Sequence, residues 1–148
     1  MDPAAYPEVK SWIEEHSGSL DSVDFLTRNA SLGTWLAIYH VIWPDFVEVE
    51  GCVLWRRSYE VSNFREWFRR FEGDVPAVEA TLNRLILGDI IENDDLPEDR
   101  AVLMELAEMT AKSWGIALRE SFPSKSFEVG CANTEDGPVV WFHSVHRE

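Results

Sequence analysis

The chain has 148 residues, 45% of them hydrophobic and seven of them tryptophan, and 13 basic against 27 acidic side chains give a formal charge of −14. A single domain of that size buries roughly 68–70% of its unfolded surface, so a core without staples is expected. So acidic a chain repels phosphate backbones and anionic lipid, which argues against nucleic-acid and membrane partners. Met1-Asp2-Pro3-Ala4-Ala5-Tyr6-Pro7 has no basic stretch leading into an apolar run, so no signal peptide is expected. No apolar stretch reaches 18 residues. Cys52 and Cys131 stand far apart, outside any CxxC pattern, and a cytoplasmic protein with free thiols is the expectation.

From the N-terminus, Val9, Trp12, Ile13 and His16 fall at i, i+3, i+4 and i+7 and predict a helix over 7–16, with His16 near its cation-favouring end. Asp21 reads as the cap of a short turn through Val23, Phe25 and Leu26. Ser31 reads as the cap of a helix whose stripe Leu32, Trp35, Leu36 and Tyr39 should face the core, and Pro44 stops it after Trp43. The run 46–55 predicts a β-hairpin turning at Glu50-Gly51, pairing Val49 with Cys52 and Val47 with Leu54. Its apolar face, Val47, Val49, Cys52 and Leu54, is the expected core face; Phe46, Glu48, Val53 and Trp55 form the other.

Ser62 reads as the cap of a helix with the stripe Phe64, Trp67, Phe68 and Phe71, ended by Gly73. Asp74 caps the next, with Pro76 in its first turn and Val78, Leu82, Leu85 and Ile86 as the buried line. An acidic loop, Gly88 to Asp95, leads to a helix from Pro97 to about Ser121 carrying Leu103, Leu106, Ala107, Trp114, Ala117 and Leu118. After Phe122-Pro123 a second hairpin spans about 126–145, turning in Asn133–Gly137, with Val139–Phe142 as a doubly covered strand. The expected fold is α+β: one domain over 1–148, with a small antiparallel sheet of two hairpins (about 46–55 and 126–145) packed with about five helices.

Phe46-Val47-Glu48-Val49-Glu50-Gly51-Cys52-Val53, then Phe64-Arg65-Glu66-Trp67, Gly73-Asp74 and Val78-Glu79-Ala80 with Asn83, together resemble a small bacterial family of single-domain proteins of unknown function. Phe122-Pro123 and Phe127-Glu128-Val129 extend the resemblance to about two thirds of the chain. It implies no activity and carries over no catalytic residue. The histidines that often follow the asparagine in that family are here Arg84 and Ile86.

No catalytic residue, metal site or cofactor is assigned. His40, Cys52, Cys131 and His143 lack zinc-ligand spacing, and the cysteines read as core residues with thiol pKa values raised by apolar or acidic surroundings. GxSxG, HExxH and glycine-rich phosphate loops are missing. Residues 73–100 carry two Arg and eight acids, whereas 41–72 carry five Arg and six acids. The arginine patch of Arg56, Arg57, Arg65, Arg69 and Arg70 is expected to pair with the chain's own carboxylates, those of the 89–99 loop among them. The reading is of a non-catalytic, protein-binding module that docks a basic partner, with an immunity or inhibitor protein as one concrete version. Its candidate binding residues are Trp43, Phe46, Glu48 and Trp55 on the hairpin and Asp89, Glu92, Asp94 and Asp95 in the loop. The alternative is a small-molecule-binding protein or enzyme with a carboxylate pocket between sheet and helices, built from Glu48, Glu79 or Asn83.

Overall fold

A computed structural model describes residues 1–16 and 18–146. The fold is α+β and divides into two compact units, Met1–Tyr39 and His40–Glu148. The first unit begins with a 3₁₀ turn, Pro3–Ala5, and helix α1, Pro7–Glu15, which starts on a proline that has no amide hydrogen to leave unpaired. Val9 is buried, and Trp12 meets Phe25 edge-on at 5.6 Å. His16 closes α1 as expected: its backbone N–H donates to the Trp12 carbonyl at 3.2 Å and its ring stacks on the Trp12 indole at 4.4 Å. Asp21 caps a full helix, α2 (Ser22–Asn29), where a short turn was expected. A reciprocal capping box explains the extra length, with the Asp24 N–H donating to the Asp21 carboxylate and the Asp21 N–H to the Asp24 carboxylate.

Helix α3 (Leu32–Ile42) starts at Ser31, whose hydroxyl accepts the Thr34 N–H at 3.1 Å, and stops short of Pro44. Its burial differs from expectation. Every residue from Leu32 to His40 is exposed, so the stripe Leu32, Trp35, Leu36 and Tyr39 does not face a core. The division between the two units falls within this helix.

In the second unit, β1 (Phe46–Val49) and β2 (Cys52–Trp55) form the predicted hairpin in the predicted register. Glu50 and Gly51 both take positive φ, 50° and 81°, as a type I′ turn demands. The face expected to be inward packs with Phe64 and Val78, while Phe46, Val53 and Trp55 enter a second cluster around Trp114 and Phe142. Both faces of the hairpin are therefore covered.

Helix α4 (Val61–Arg70) is capped by Glu60, not by Ser62, because the longer carboxylate reaches back to accept both the Ser62 and Asn63 N–H groups. Asp74 caps helix α5 (Val75–Leu82) as expected, but α5 ends at Leu82. Leu85 and Ile86 continue instead into a third strand, β3 (Arg84–Ile86), followed by a single helical turn, α6 (Leu87–Ile90). Helix α7 runs from Pro97 to Ser121 as predicted, and its indole at Trp114 donates to the Val41 carbonyl at 2.8 Å.

Strands β4 (Ser126–Thr134) and β5 (Gly137–Val145) form the second hairpin. The two hairpins do not share a sheet. β1 and β2 stand as a pair, and β5 is central in a separate sheet ordered β3-β5-β4, all antiparallel. The expected single sheet fails because Arg84–Ile86 takes the edge of β5. Gly130 lies opposite Trp141, and a Cβ there would stand 2.7 Å from the indole Cζ2, so the ring covers the glycine.

Candidate functional site

Glu79 and Asn83 lie at i, i+4 on one face of α5 and its C-cap, and both are fully buried. In a two-residue hairpin the residues flanking the turn exchange hydrogen bonds, and the next pair points its backbone groups outward. The outward groups of β2, those of Val53 and Trp55, would be an open sheet edge inside the core. The α5 side chains fill it. Val53 N–H donates to Glu79 Oε1 at 2.7 Å, Trp55 N–H to Asn83 Oδ1 at 3.0 Å, and Asn83 Nδ2 donates to the Val53 carbonyl at 2.8 Å. The Asn83 amide thus pairs with β2 as a peptide group would. Glu79 Oε2 reaches the other sheet, accepting the Ser144 N–H and hydroxyl, each at 2.5 Å. One carboxylate therefore ties β2 to β5. Of the three residues that suggested a pocket between sheet and helices, Glu79 and Asn83 are engaged in joining the two sheets.

The hairpin candidates are separated by depth. Trp55 is 5% exposed and tilts against Trp114 at 5.2 Å, with the Arg57 guanidinium over its ring at 5.4 Å. Phe46 is half-buried, edge-on to Phe142 at 5.5 Å and Phe122 at 6.2 Å, and Trp43 is half-buried too. Glu48 is exposed and lies 3.5 Å from Lys125, whose ammonium also donates to the Gly51 carbonyl at 3.0 Å. These four do not form one open face.

The loop candidates all stay exposed: Asp89, Glu92, Asp94 and Asp95. Asp99, beside them, is buried and accepts the Asp94 N–H at 3.0 Å and the Leu96 N–H at 3.4 Å, ordering the loop at the start of α7. Asp95 takes a left-handed φ of 55° and is held by Arg100 through two bonds at 2.8 and 3.1 Å. That guanidinium holds the Asp95 carboxyl below its ordinary value. Asp89 and Asp95 line a shallow cleft of about 610 Å³ whose opposite wall is the β4–β5 turn, with Glu135 and Asp136. Both of those carboxylates are exposed. The sequence placed a polar turn there, yet nothing in it linked residues 133–137 to the loop more than 35 positions earlier.

The expected pairing of the arginine patch holds for Arg70, which meets Glu66 at 3.0 Å one helical turn away. Arg100, outside the patch, is the arginine that meets the acidic loop. Burial first, and then the nearby Glu79 charge, push the Cys52 thiol up to about 12, and Cys131 is raised by burial and by Glu108. No helix among the described residues is long and apolar enough to cross a membrane. No set of three or more His, Cys, Asp or Glu side chains among them is placed to hold a metal ion. Comparison with protein-family models, with curated proteins and with solved structures finds no match to this chain.

Proposed function

We propose that this chain is a non-catalytic binding module whose acidic surface docks a basic protein. One observation carries the reading: exposed carboxylates from two distant segments, Asp89 and Asp95 from one and Glu135 and Asp136 from the other, converge on a single shallow cleft. Of the cations among the described residues, Arg100 alone lines that cleft, and it is already engaged by Asp95. A cleft lined by one sign of charge focuses the field and accelerates encounter with the opposite sign. Glu92, Asp94 and Glu98 are exposed nearby in sequence and add to the same field. An immunity or inhibitor protein facing a basic toxin is the concrete form of this reading. The small-molecule alternative loses support because Glu79 and Asn83 are fully buried and already bonded to Val53, Trp55 and Ser144.

The test is a pull-down from native lysate at low and high salt, repeated with the triple variant Asp89→Lys, Glu135→Lys, Asp136→Lys. A stoichiometric basic protein is expected, released by salt, with association slowed at least about tenfold by the reversals. A chain that captures no such protein but gains a large thermal shift from a metabolite would refute the proposal. So would a partner indifferent to the reversals.

A further inference from the structure

A second cleft, of about 370 Å³, lies between α7 and β4 and reverses the charge of the molecule around it. Three cations line it, Lys112 and Arg119 from α7 and Lys125 from the turn before β4. No Asp or Glu among the described residues does, in a chain of 27 acidic and 13 basic side chains. Strand pleating explains the absence: Phe127 and Val129 face α7, whereas Glu128 between them points to the other side of the sheet, 3.6 Å from His143. Glu108, one turn before Lys112, raises the Cys131 thiol and stays outside the cleft. Lys125 is held by the Gly51 carbonyl and by Glu48. Lys112 and Arg119 have no ion-pair partner among the described residues. The α7 macrodipole accounts for a cation at Arg119, in its last turn, but not for Lys112, more than two turns from the C-terminus. A Cβ at Gly115 would stand 3.6 Å from Arg119 Nη1 and 4.0 Å from Val129, so the glycine keeps the space between them open.

We propose that this cleft binds a small organic phosphate, with the dianionic head among Lys112, Arg119 and Lys125 and the apolar body against Gly115, Phe127 and Val129. Cations without carboxylate partners select an anion, and the planar fork of Arg119 suits the paired oxygens of a phosphate. The charge count favours a dianion over a monocarboxylate: Lys125 already shares its charge with Glu48, which leaves two cations unmatched. The volume falls within the roughly 300–1,000 Å³ of small-molecule pockets. An extended nucleic acid or an anionic lipid surface is rejected by the net charge of −14. A small anion escapes most of that penalty, because at physiological salt charges beyond about 8 Å are largely screened. The apolar wall is what separates an organic phosphate from the free ion. The two clefts share no lining residue, so this site is independent of the proposed protein docking.

NMR titration of the isotope-labelled full chain, followed at its backbone amides, decides it. Phenyl phosphate is the probe, with inorganic phosphate and phenol as its two halves. Phenyl phosphate should saturate one site with a Kd below about 1 mM, at least about tenfold tighter than either half, and should move the amides of Gly115, Phe127 and Val129. The double variant Lys112→Gln, Arg119→Gln should weaken it at least about tenfold, as loss of charge-assisted hydrogen bonds does. Gly115→Leu places an isobutyl group between Arg119 and Val129 and should abolish binding, while leucine's higher helix propensity favours folding. Arg70→Gln, which removes a guanidinium paired with Glu66 on α4, should leave the affinity unchanged. Circular dichroism checks that each variant folds. No saturable shift with phenyl phosphate up to about 10 mM overturns the proposal. So does either half binding as tightly as the whole, or an affinity that the double variant and Gly115→Leu leave intact.

Discussion

Replacing Glu79 by alanine removes acceptors from three donors at once: the Val53 N–H, the Ser144 N–H and the Ser144 hydroxyl. Val53 is fully buried, so its N–H cannot turn to water, and an orphaned buried donor costs about 1–3 kcal/mol. Ser144 is half-buried and loses less, while the space vacated by the side chain adds a cavity cost. The sum is about 3–5 kcal/mol, a large share of the roughly 5–15 kcal/mol typical of a domain. Glu79→Gln keeps the shape but turns an NH₂ toward one of the backbone donors, and should cost about 1–3 kcal/mol. Asn83→Ala should be coupled to both, because Asn83 holds the same Val53 through its carbonyl. Urea unfolding, followed by tryptophan fluorescence and far-UV circular dichroism, gives each value and the double-mutant coupling. If Glu79→Ala and Glu79→Gln both stay within about 0.5 kcal/mol of the parent, the bridge does not join the sheets as argued.

Three further expectations follow from local geometry. Gly130→Ala drives a Cβ into Trp141 and should destabilise by about 1–3 kcal/mol, read as a drop in melting temperature; no change would mean that the half-buried indole moves aside freely. Cys52, its pKa pushed up to about 12, should resist a thiol reagent at pH 8 in the folded chain and react only on unfolding; labelling at the rate of a free thiol would contradict its burial. Asp21, Glu60 and Asp95 have pKa values lowered from 3.8, 4.5 and 3.8 by the N–H groups and the guanidinium they accept from. A lowered carboxyl pKa contributes stability that is present above the ordinary value and lost as pH falls through the folded one. Urea midpoints should therefore drop below about pH 4, and Asp21→Asn, which keeps an acceptor, should flatten part of that slope; a midpoint independent of pH would refute it.

What could be read in advance was local. The Glu50-Gly51 turn and the alternation around it set the hairpin register, and Pro97 and Phe122-Pro123 bounded the long helix, because those signals act over a few residues. What escaped depends on partners distant in sequence. The helical period of Val78, Leu82, Leu85 and Ile86 ran straight through the point where Asn83 turns away to pair with β2. Glu79 and Asn83 read as candidate members of a carboxylate pocket, and their bonds to Val53 and Trp55, 26 to 30 positions away, were not legible. The α3 stripe has the spacing of a core helix yet faces solvent, since periodicity reports that a face wants cover and not where the cover comes from. The acidic cleft needed two segments brought together by the second hairpin.

The bridge also bears on the order in which the molecule assembles. Each hairpin closes over a short turn and each helix over one pitch, so neither requires a distant partner to form. Glu79 cannot complete its bonds until residues 26 positions before it and 65 positions after it have arrived. Contacts at such separation carry the largest loop-closure cost and tend to form late. Weakening this link should therefore leave the refolding rate nearly unchanged and appear almost entirely as faster unfolding. The carboxylate then acts as a latch closed last, setting how long the native state persists and not how quickly it is found.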